Sequence, residues 1–279
     1  MQFKTLRFKN RIMKKREKFM KKAKETVKEA LQSRDMLLSG VTKTIDALDK
    51  MINLMGERLE EWYGIYFPEL RMDDKIKYAE LVLIIDRKDL DPKELSGMVG
   101  QKKAEEIVQS AGKTLGADIT AQEMIQVQSL AKTIIELDSR RTQYEEHQKD
   151  LAHQLIPNMT KVAGADIAAK LVSHVGNLKR LCKLPASTIQ VLGAEKALFK
   201  HLKNRRVKPP KHGIIFQHPK IAGSPKAIRG KVARALANKL SLAVKADAIT
   251  KRDISNELLS GFEERYDEIL VAYNEGKKK

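Results

Sequence analysis

The sequence predicts an all-α protein, a long antiparallel coiled-coil hairpin followed by a compact helical domain, and three observations predict it. Two long stretches carry apolar residues at alternating spacings of three and four, the period of one helix pressed against another. No stretch sustains the apolar–polar alternation of a half-buried strand. Beyond residue 157 the pattern shortens into amphipathic segments separated by Pro and Gly.

The first stripe runs Val27, Leu31, Leu38, Val41, Ile45, Leu48, Ile52, Met55, Leu59 and Trp62, broken only by Arg34. A helix that long must bury its stripe, and a second stripe follows as Val127, Leu130, Ile134, Leu137, Tyr144, Leu151 and Leu155, with Arg141 and Gln148 as polar interruptions. The expected seam sets Ile45, Leu48, Ile52, Met55 and Leu59 against Val127, Leu130, Ile134, Leu137 and Tyr144. Polar seam positions lower stability but fix register, so Arg141 and Gln148 are candidates for aligning the pair. Two matched helices of one chain fold most simply as a hairpin, here residues 33–157 with a tip over 63–119. Gly64, Pro68, Pro92, Gly97, Gly100, Gly112 and Gly116 break the tip into short helices, one of them starting at Asp91-Pro92.

After Pro157 a helix is expected from near Asp166 through Leu171 to Val175. Another is expected from Ser187, where Ser187 and Gln190 have the spacing of a capping box. Residues 207–224 hold too many breakers for one element and read as a shaped surface loop. Beyond them Ile228, Val232, Leu236, Leu240 and Val244 form one helical face, with Lys231, Arg234, Asn238, Ser241 and Lys245 opposite. This second domain is read as 158–273, with 1–32 as a basic helical lead-in and 274–279 as a basic tail.

Charge locates the function. The net charge is +18, and it concentrates in two blocks: residues 1–34 carry 13 Lys or Arg against 3 acids, and residues 195–240 carry 13 against 1. Excess cationic charge attracts polyanions and gains from the counterions they release, which points to nucleic acid. The second block sets Lys196, Lys200, Lys203, Arg205, Arg206, Lys208 and Lys211 beside His201, His212, Phe216, Gln217 and His218, with Arg229, Lys231 and Arg234 following. Cations hold phosphates while rings and amides stack on or hydrogen-bond to unpaired bases, a mixture suited to structured RNA. The first block also reads as an exposed helix leading into the coiled coil.

Other chemistry finds little support. His201, His212 and His218 lack the Cys or carboxylate neighbours of a metal site, so no metal is expected. Cys182 lies on an apolar stretch and reads as a core residue. The glycines around Gly223 and Gly230 are too widely spaced for a phosphate loop, and neither a dinucleotide fingerprint nor a nucleophile elbow is present. The chain reads as a non-enzyme without a cofactor, soluble and without a membrane span; residues 1–16 mimic a transit peptide only in charge.

Residues 184–192, Gly193-Ala194-Glu195-Lys196, Ala197-Leu198-Phe199-Lys200, 210–219 and 229–237 together resemble the Nop domain. Upstream, Ser33-Arg34-Asp35 and Glu61-Trp62-Tyr63-Gly64 through Phe67-Pro68-Glu69-Leu70 resemble the coiled-coil domain that precedes it, so the resemblance covers about 33–272. Among relatives the chain is most similar to the archaeal Nop protein of box C/D ribonucleoproteins, which guide RNA 2′-O-methylation. The resemblance implies a scaffold that binds a kink-turn guide RNA together with a ribosomal-protein-like kink-turn-binding subunit, and that forms a homodimer through its coiled coil. It also implies that Glu195, Lys196 and Lys200 face RNA and that residues 211–218 meet the kink-turn and its protein.

In the family an amino-terminal domain binds fibrillarin, the methyltransferase to which S-adenosylmethionine belongs. Only some 30 residues precede the coiled coil here, so direct fibrillarin binding is not expected of this chain. The implied location is the cytoplasm of an archaeon, or the nucleolus or nucleus of a eukaryote. Two alternatives stay open: a spliceosomal relative binding a U4-like kink-turn, and a coiled-coil tether whose charge is nonspecific.

Overall fold

The computed structural model describes residues 13, 15–25, 27–28 and 34–278. Leu31 and Ser33 lie outside the described residues, as does most of the remaining lead-in. Residues 15–25 and 27–28 are helical and exposed, Val27 included. Among the described residues there is no strand, only an isolated bridge between Asp86 and Asp89. The helices are α1 (Asp35–Tyr63), α2 (Lys75–Ile84), α3 (Pro92–Val99), α4 (Gln101–Ala111) and α5 (Ala121–Leu155), then α6 (Pro157–Ala163), α7 (Ala165–Val175), α8 (Leu178–Leu181) and α9 (Ala186–Val191). They continue as α10 (Glu195–Lys203), α11 (Pro219–Ala222), α12 (Arg229–Lys245) and α13 (Ser255–Lys278), with a 3₁₀ turn at Ile214–Gln217 and a π turn at Ala246–Thr250.

The chain divides into two compact units, one of residues 43–146 and the other of residues 1–42 with 147–279. The division lies inside both long helices, so residues 35–42 and 147–155 pack with the carboxy-terminal helices. The expected boundary was at 157.

In the 43–146 unit, the buried positions of α1 are Ile45, Leu48, Ile52, Gly56, Leu59 and Tyr63. Those of α5 are Val127, Ala131 and Ile134, continued at the same alternating spacing by Asp138, Arg141 and Glu145. Arg141 reaches across to Asp49 at 3.1 Å and also holds Asp138 at 2.8 Å. This seam corrects the expected one at several places. Trp62 is 43% exposed while Tyr63 is fully buried; Met55 is half-buried while Gly56 takes the buried position; Tyr144 is 41% exposed; and Leu130 and Leu137 flank the seam half-buried rather than filling it. The displacement has a physical reason: the middle of the α5 seam is occupied by Ala131, Asp138 and Glu145, which an apolar periodicity cannot register.

The tip is closed by Arg87. Its guanidinium donates to the carbonyls of Tyr66 (2.5 Å) and Gly116 (2.8 Å), pairs with Asp118, and lies 4.2 Å from the Tyr66 ring centroid. A Cβ at Gly116 would stand 2.0 Å from the Tyr66 carbonyl oxygen, so this crossing requires glycine. Asp91 caps α3 by accepting from the Lys93 N–H at 2.8 Å, with Pro92 in the first turn, as the sequence predicts. Gly97, expected as a break, lies within α3.

In the other unit the base of the helix pair contributes Leu38, Leu151 and Ala152 to a core shared with α6 to α9, α12 and α13. Gln148, buried, donates to the Thr42 hydroxyl at 2.9 Å, which donates in turn to the Leu38 carbonyl at 2.8 Å. Gln148→Ala is expected to cost about 1–2 kcal/mol, because the buried Thr42 oxygen loses its donor. The double change Thr42→Val with Gln148→Leu is expected to recover most of that, since both polar partners are then gone. A denaturation double-mutant cycle decides it, and additive losses would rule the pairing unimportant.

Helix α12 runs through the centre of this unit, packing against α6, α9 and α13. Its expected apolar face, from Ile228 to Val244, is buried throughout. Ser241 is buried rather than solvent-facing, whereas Leu242 is exposed. The segment read as a basic tail continues α13 as far as Lys278.

Candidate nucleic-acid interface

The basic block gathers into two groups. The first is α10 and the turn after it. Nine-residue α10 buries none of its side chains, so its position depends on its ends. At the start, the Glu195 carboxylate accepts from the Gly193 N–H (2.8 Å) and meets His174 Nε2 on α7 (2.7 Å). Burial alone would raise the Glu195 carboxyl, but the backbone N–H bonds and His174 outweigh it and hold the group below the usual carboxylate range. At the other end the His201 ring bonds the Val207 carbonyl. Glu195 and His201 therefore anchor the helix.

Spacings of four and three put Lys196, Lys200 and Lys203 on one face of α10, all exposed, with Arg205 and Arg206 exposed just beyond. None of these five forms an ion pair among the described residues. Phe199, 66% exposed, stands among them, a ring free to stack on a base.

The loop after α10 is fixed to α9. The Gly213 N–H donates to the Gln190 carbonyl (3.0 Å), the Ile214 N–H to the Leu192 carbonyl (2.7 Å), and Gln190 Nε2 to the Lys211 carbonyl (2.7 Å). This corrects the expected capping box: α9 begins at Ala186, its cap Pro185 offers no side chain, and Gln190 holds the loop instead. A Cβ at Gly213 would lie 1.8 Å from the Leu192 carbonyl oxygen, so only glycine permits the approach. The expected surface loop is thus an ordered segment that buries Ile215 and Ile221.

Within it, His212 stacks on Phe216 (centroids 4.4 Å apart, 15° between planes), and the Arg229 guanidinium lies 5.3 Å from that ring. Arg229 also donates to the Ser224 (2.8 Å) and Ala222 (2.9 Å) carbonyls, which makes it a brace for the loop. Gln217 accepts from Lys170 at 3.1 Å. His218 Nδ1 accepts from the Lys220 N–H at 3.3 Å, and its ring packs edge-on against Phe262.

Burial, then neighbouring cations, lower both histidines: Arg229 and Lys211 act on His212, Lys220 on His218. A histidine whose folded pKa is depressed contributes stability present above its unfolded value near 6.5 and lost as pH falls through the folded value. The two histidines therefore act to lower the unit's melting temperature at pH 5 relative to pH 7, opposed by the raised carboxyl of Asp247. In His218→Asn, whose amide oxygen replaces Nδ1 as the cap, that lowering should shrink; an unchanged difference would clear His218 of the effect.

The second group is Lys208, Lys211, Lys231 and Arg234, which line a cleft of about 950 Å³ between the loop, α12 and α13. Lys239 and Arg265 line the same cleft and were not among the candidates from sequence. Among the described residues no cluster of three His, Cys, Asp or Glu could hold a metal, and no helix is long and apolar enough to cross a membrane.

The family described as Nop, snoRNA binding domain, fibrillarin, matches residues 44–268. A NOP5 family protein of Methanocaldococcus jannaschii is 41% identical over 87% of the chain and 59% of its own length. Nucleolar protein 58 of Schizosaccharomyces pombe is 34% identical over 80% of the chain, and nucleolar protein 56 of Caenorhabditis elegans 36% identical over 76%. The chain spans 44% and 45% of those two proteins. The crystal structure of a fibrillarin/Nop5p complex contains a chain of similar fold, with a TM-score of 0.52 and 27% identity, covering 88% of this chain and 74% of that one.

Proposed function

The chain belongs to the Nop family, and from that premise we propose that it is the scaffold of a box C/D ribonucleoprotein guiding RNA 2′-O-methylation. The observation that carries the reading is the exposed cation face of α10 and its turn, five Lys and Arg without acidic partners, beside a loop presenting His212 and Gln217. Phosphates would meet the cations and unpaired bases the rings, which is how folded RNA is held. In this proposal the ligand is a kink-turn already bound by a small ribosomal-protein-like subunit, and the helix pair joins two copies. The methyl transfer belongs to a fibrillarin-like partner with S-adenosylmethionine; this chain supplies position, not chemistry.

A gel-shift titration at fixed salt tests the proposal, with a kink-turn RNA and a scrambled RNA, each with and without the kink-turn-binding subunit. Tight binding confined to the preassembled kink-turn complex is expected. Equal affinity for every RNA would reduce the chain to a nonspecific cationic tether. Sedimentation of the free chain as a monomer at micromolar concentration would remove self-association from the proposal.

A further inference from the structure

The helical stretch ahead of α1 carries an apolar face that is left exposed among the described residues. Residues 15–25 and 27–28 are helical, as is Met13. At 3.6 residues per turn, Met13, Phe19, Met20, Ala23 and Val27 fall within about 120° of the helix circumference. All five are exposed, Phe19 at 73%, Met13 at 58%, Val27 at 57% and Met20 at 51%. Apolar side chains exposed singly are ordinary, whereas an apolar stripe along one helical face is a surface that packing would cover. The two methionines suit a contact face, because the flexible thioether adapts to the contour of a partner.

The stripe keeps step with the helix pair. Met13, Met20 and Val27 stand seven residues apart, and the same spacing continues through Val41, Leu48 and Met55 of α1. Helix α5 does not reach it. Thr42 of α1 meets Gln148 of α5, so counting seven residues along each helix sets Leu155, where α5 ends, level with Asp35, where α1 begins. The stretch before α1 therefore has the heptad face of a coiled coil without the second helix.

Its charged residues say what kind of helix would fit. Residues 15–28 carry seven Lys or Arg against Glu17 and Glu25, a surplus of five cations. Pairing with the same stretch of a second copy would set like charge against like charge, which disfavours self-association here and favours an acidic partner. Arg16 points the same way, since its position falls in the middle of the apolar arc. The helix pair of this chain already shows what satisfies an arginine in such a seam: Arg141 of α5 reaches the Asp49 carboxylate of α1 at 3.1 Å. A facing helix with one carboxylate in its core would serve Arg16 in the same manner.

We propose that this stretch is a docking helix for a partner protein. The partner presents an acidic amphipathic helix, with apolar side chains against Met13, Phe19, Met20 and Val27 and a core carboxylate opposite Arg16. The contact is separate from the α10 face and stands or falls independently of RNA binding.

The test uses the full chain and a fluorescent synthetic peptide of about four heptads, with Leu at the core positions, one central core Glu, and Glu at the flanking positions. A scrambled peptide of the same composition is the control, and anisotropy reads both. The heptad peptide is expected to bind about tenfold or more tightly than the scrambled one. Phe19→Ser, Met20→Ser and Val27→Ser together are expected to remove that preference without moving the melting temperature, because all three side chains are exposed. The unaltered chain is expected to prefer the core-Glu peptide to one with Leu in its place, and Arg16→Leu to reverse the ranking, an outcome that misfolding cannot imitate. Equal binding of heptad and scrambled peptides, or an unchanged preference in the triple variant, would overturn the docking helix and leave only attraction between opposite charges. Displacement of the peptide by kink-turn RNA, with the triple variant losing RNA affinity, would overturn it too and assign the stretch to RNA.

Discussion

Asp247→Ala is expected to destabilise the carboxy-terminal unit by at least about 3 kcal/mol, because three donors in a buried site lose their acceptor at once. Asp247, 1% exposed in the π turn after α12, accepts from the Asn158 N–H (3.1 Å), the Met159 N–H (3.0 Å) and Asn158 Nδ2 (2.7 Å). Asn158 carries the network on: Nδ2 also donates to the Arg252 carbonyl (2.9 Å), and its Oδ1 accepts from the Ile254 N–H (2.8 Å). One carboxylate thus satisfies the first turn of α6 and fixes the turn leading to α13. Each abandoned buried donor costs about 1–3 kcal/mol. For a unit of this size each kcal/mol lowers the melting temperature by roughly 2–4 °C.

Burial raises the Asp247 carboxyl against the pull of its three donors. A carboxyl whose folded pKa is raised contributes stability present below the unfolded value near 3.9 and lost as pH rises through the folded value. The stability gap between the wild type and Asp247→Asn should therefore narrow as pH rises from about 4. Circular dichroism reads the helices of both units, while Trp62, the sole tryptophan, reports on the other unit. A fall of less than 1 kcal/mol in Asp247→Ala would mean that water replaces the carboxylate and that the network is dispensable.

What the sequence made legible follows from which interactions are periodic. The α12 face and the α7 span repeat at the helical period and lie where expected, as does most of the α1 stripe, with Val27 and Trp62 exposed and Val41 and Met55 only half-buried. The α5 seam is not recoverable from apolar spacing, because Asp138, Arg141 and Glu145 occupy it and an ion pair with Asp49 replaces packing. Arg141 and Gln148, noticed as interruptions, are what tie α5 to α1. The Ser187–Gln190 spacing misled because a capping box and a loop tether need the same residues, and only the start of α9 distinguishes them. Asp247 and Asn158 gave no signal at all: they are 89 residues apart, and nothing local marks either as buried. Lys239 and Arg265 were missed for a like reason. A cleft formed by a loop and two helices gathers cations that charge counting assigns to separate segments, and Arg265 lies in a stretch with more acids than bases.

Changing Lys196, Lys200, Arg205 and Arg206 together to Ala is expected to have the largest effect on binding, an affinity loss of about a hundredfold or more near 0.15 M salt. Each phosphate contact releases close to one condensed counterion, so log affinity falls against log salt with a slope of about −0.7 to −0.9 per contact. Four contacts therefore account for a slope of about 3, and the variant's plot should be flatter by that amount. The loss should come without unfolding, because the four side chains are exposed and surface changes usually stay within about 0.5 kcal/mol. Glu195→Gln provides the contrast. It removes no cation from the face but weakens the link from α10 to Gly193 and His174, so affinity should fall while the salt slope stays near that of the wild type. If Glu195→Gln instead steepened the slope, the carboxylate would be repelling phosphate rather than positioning the helix. An unchanged slope in the quadruple variant would mean that the α10 cations meet no phosphate, whatever else the chain binds.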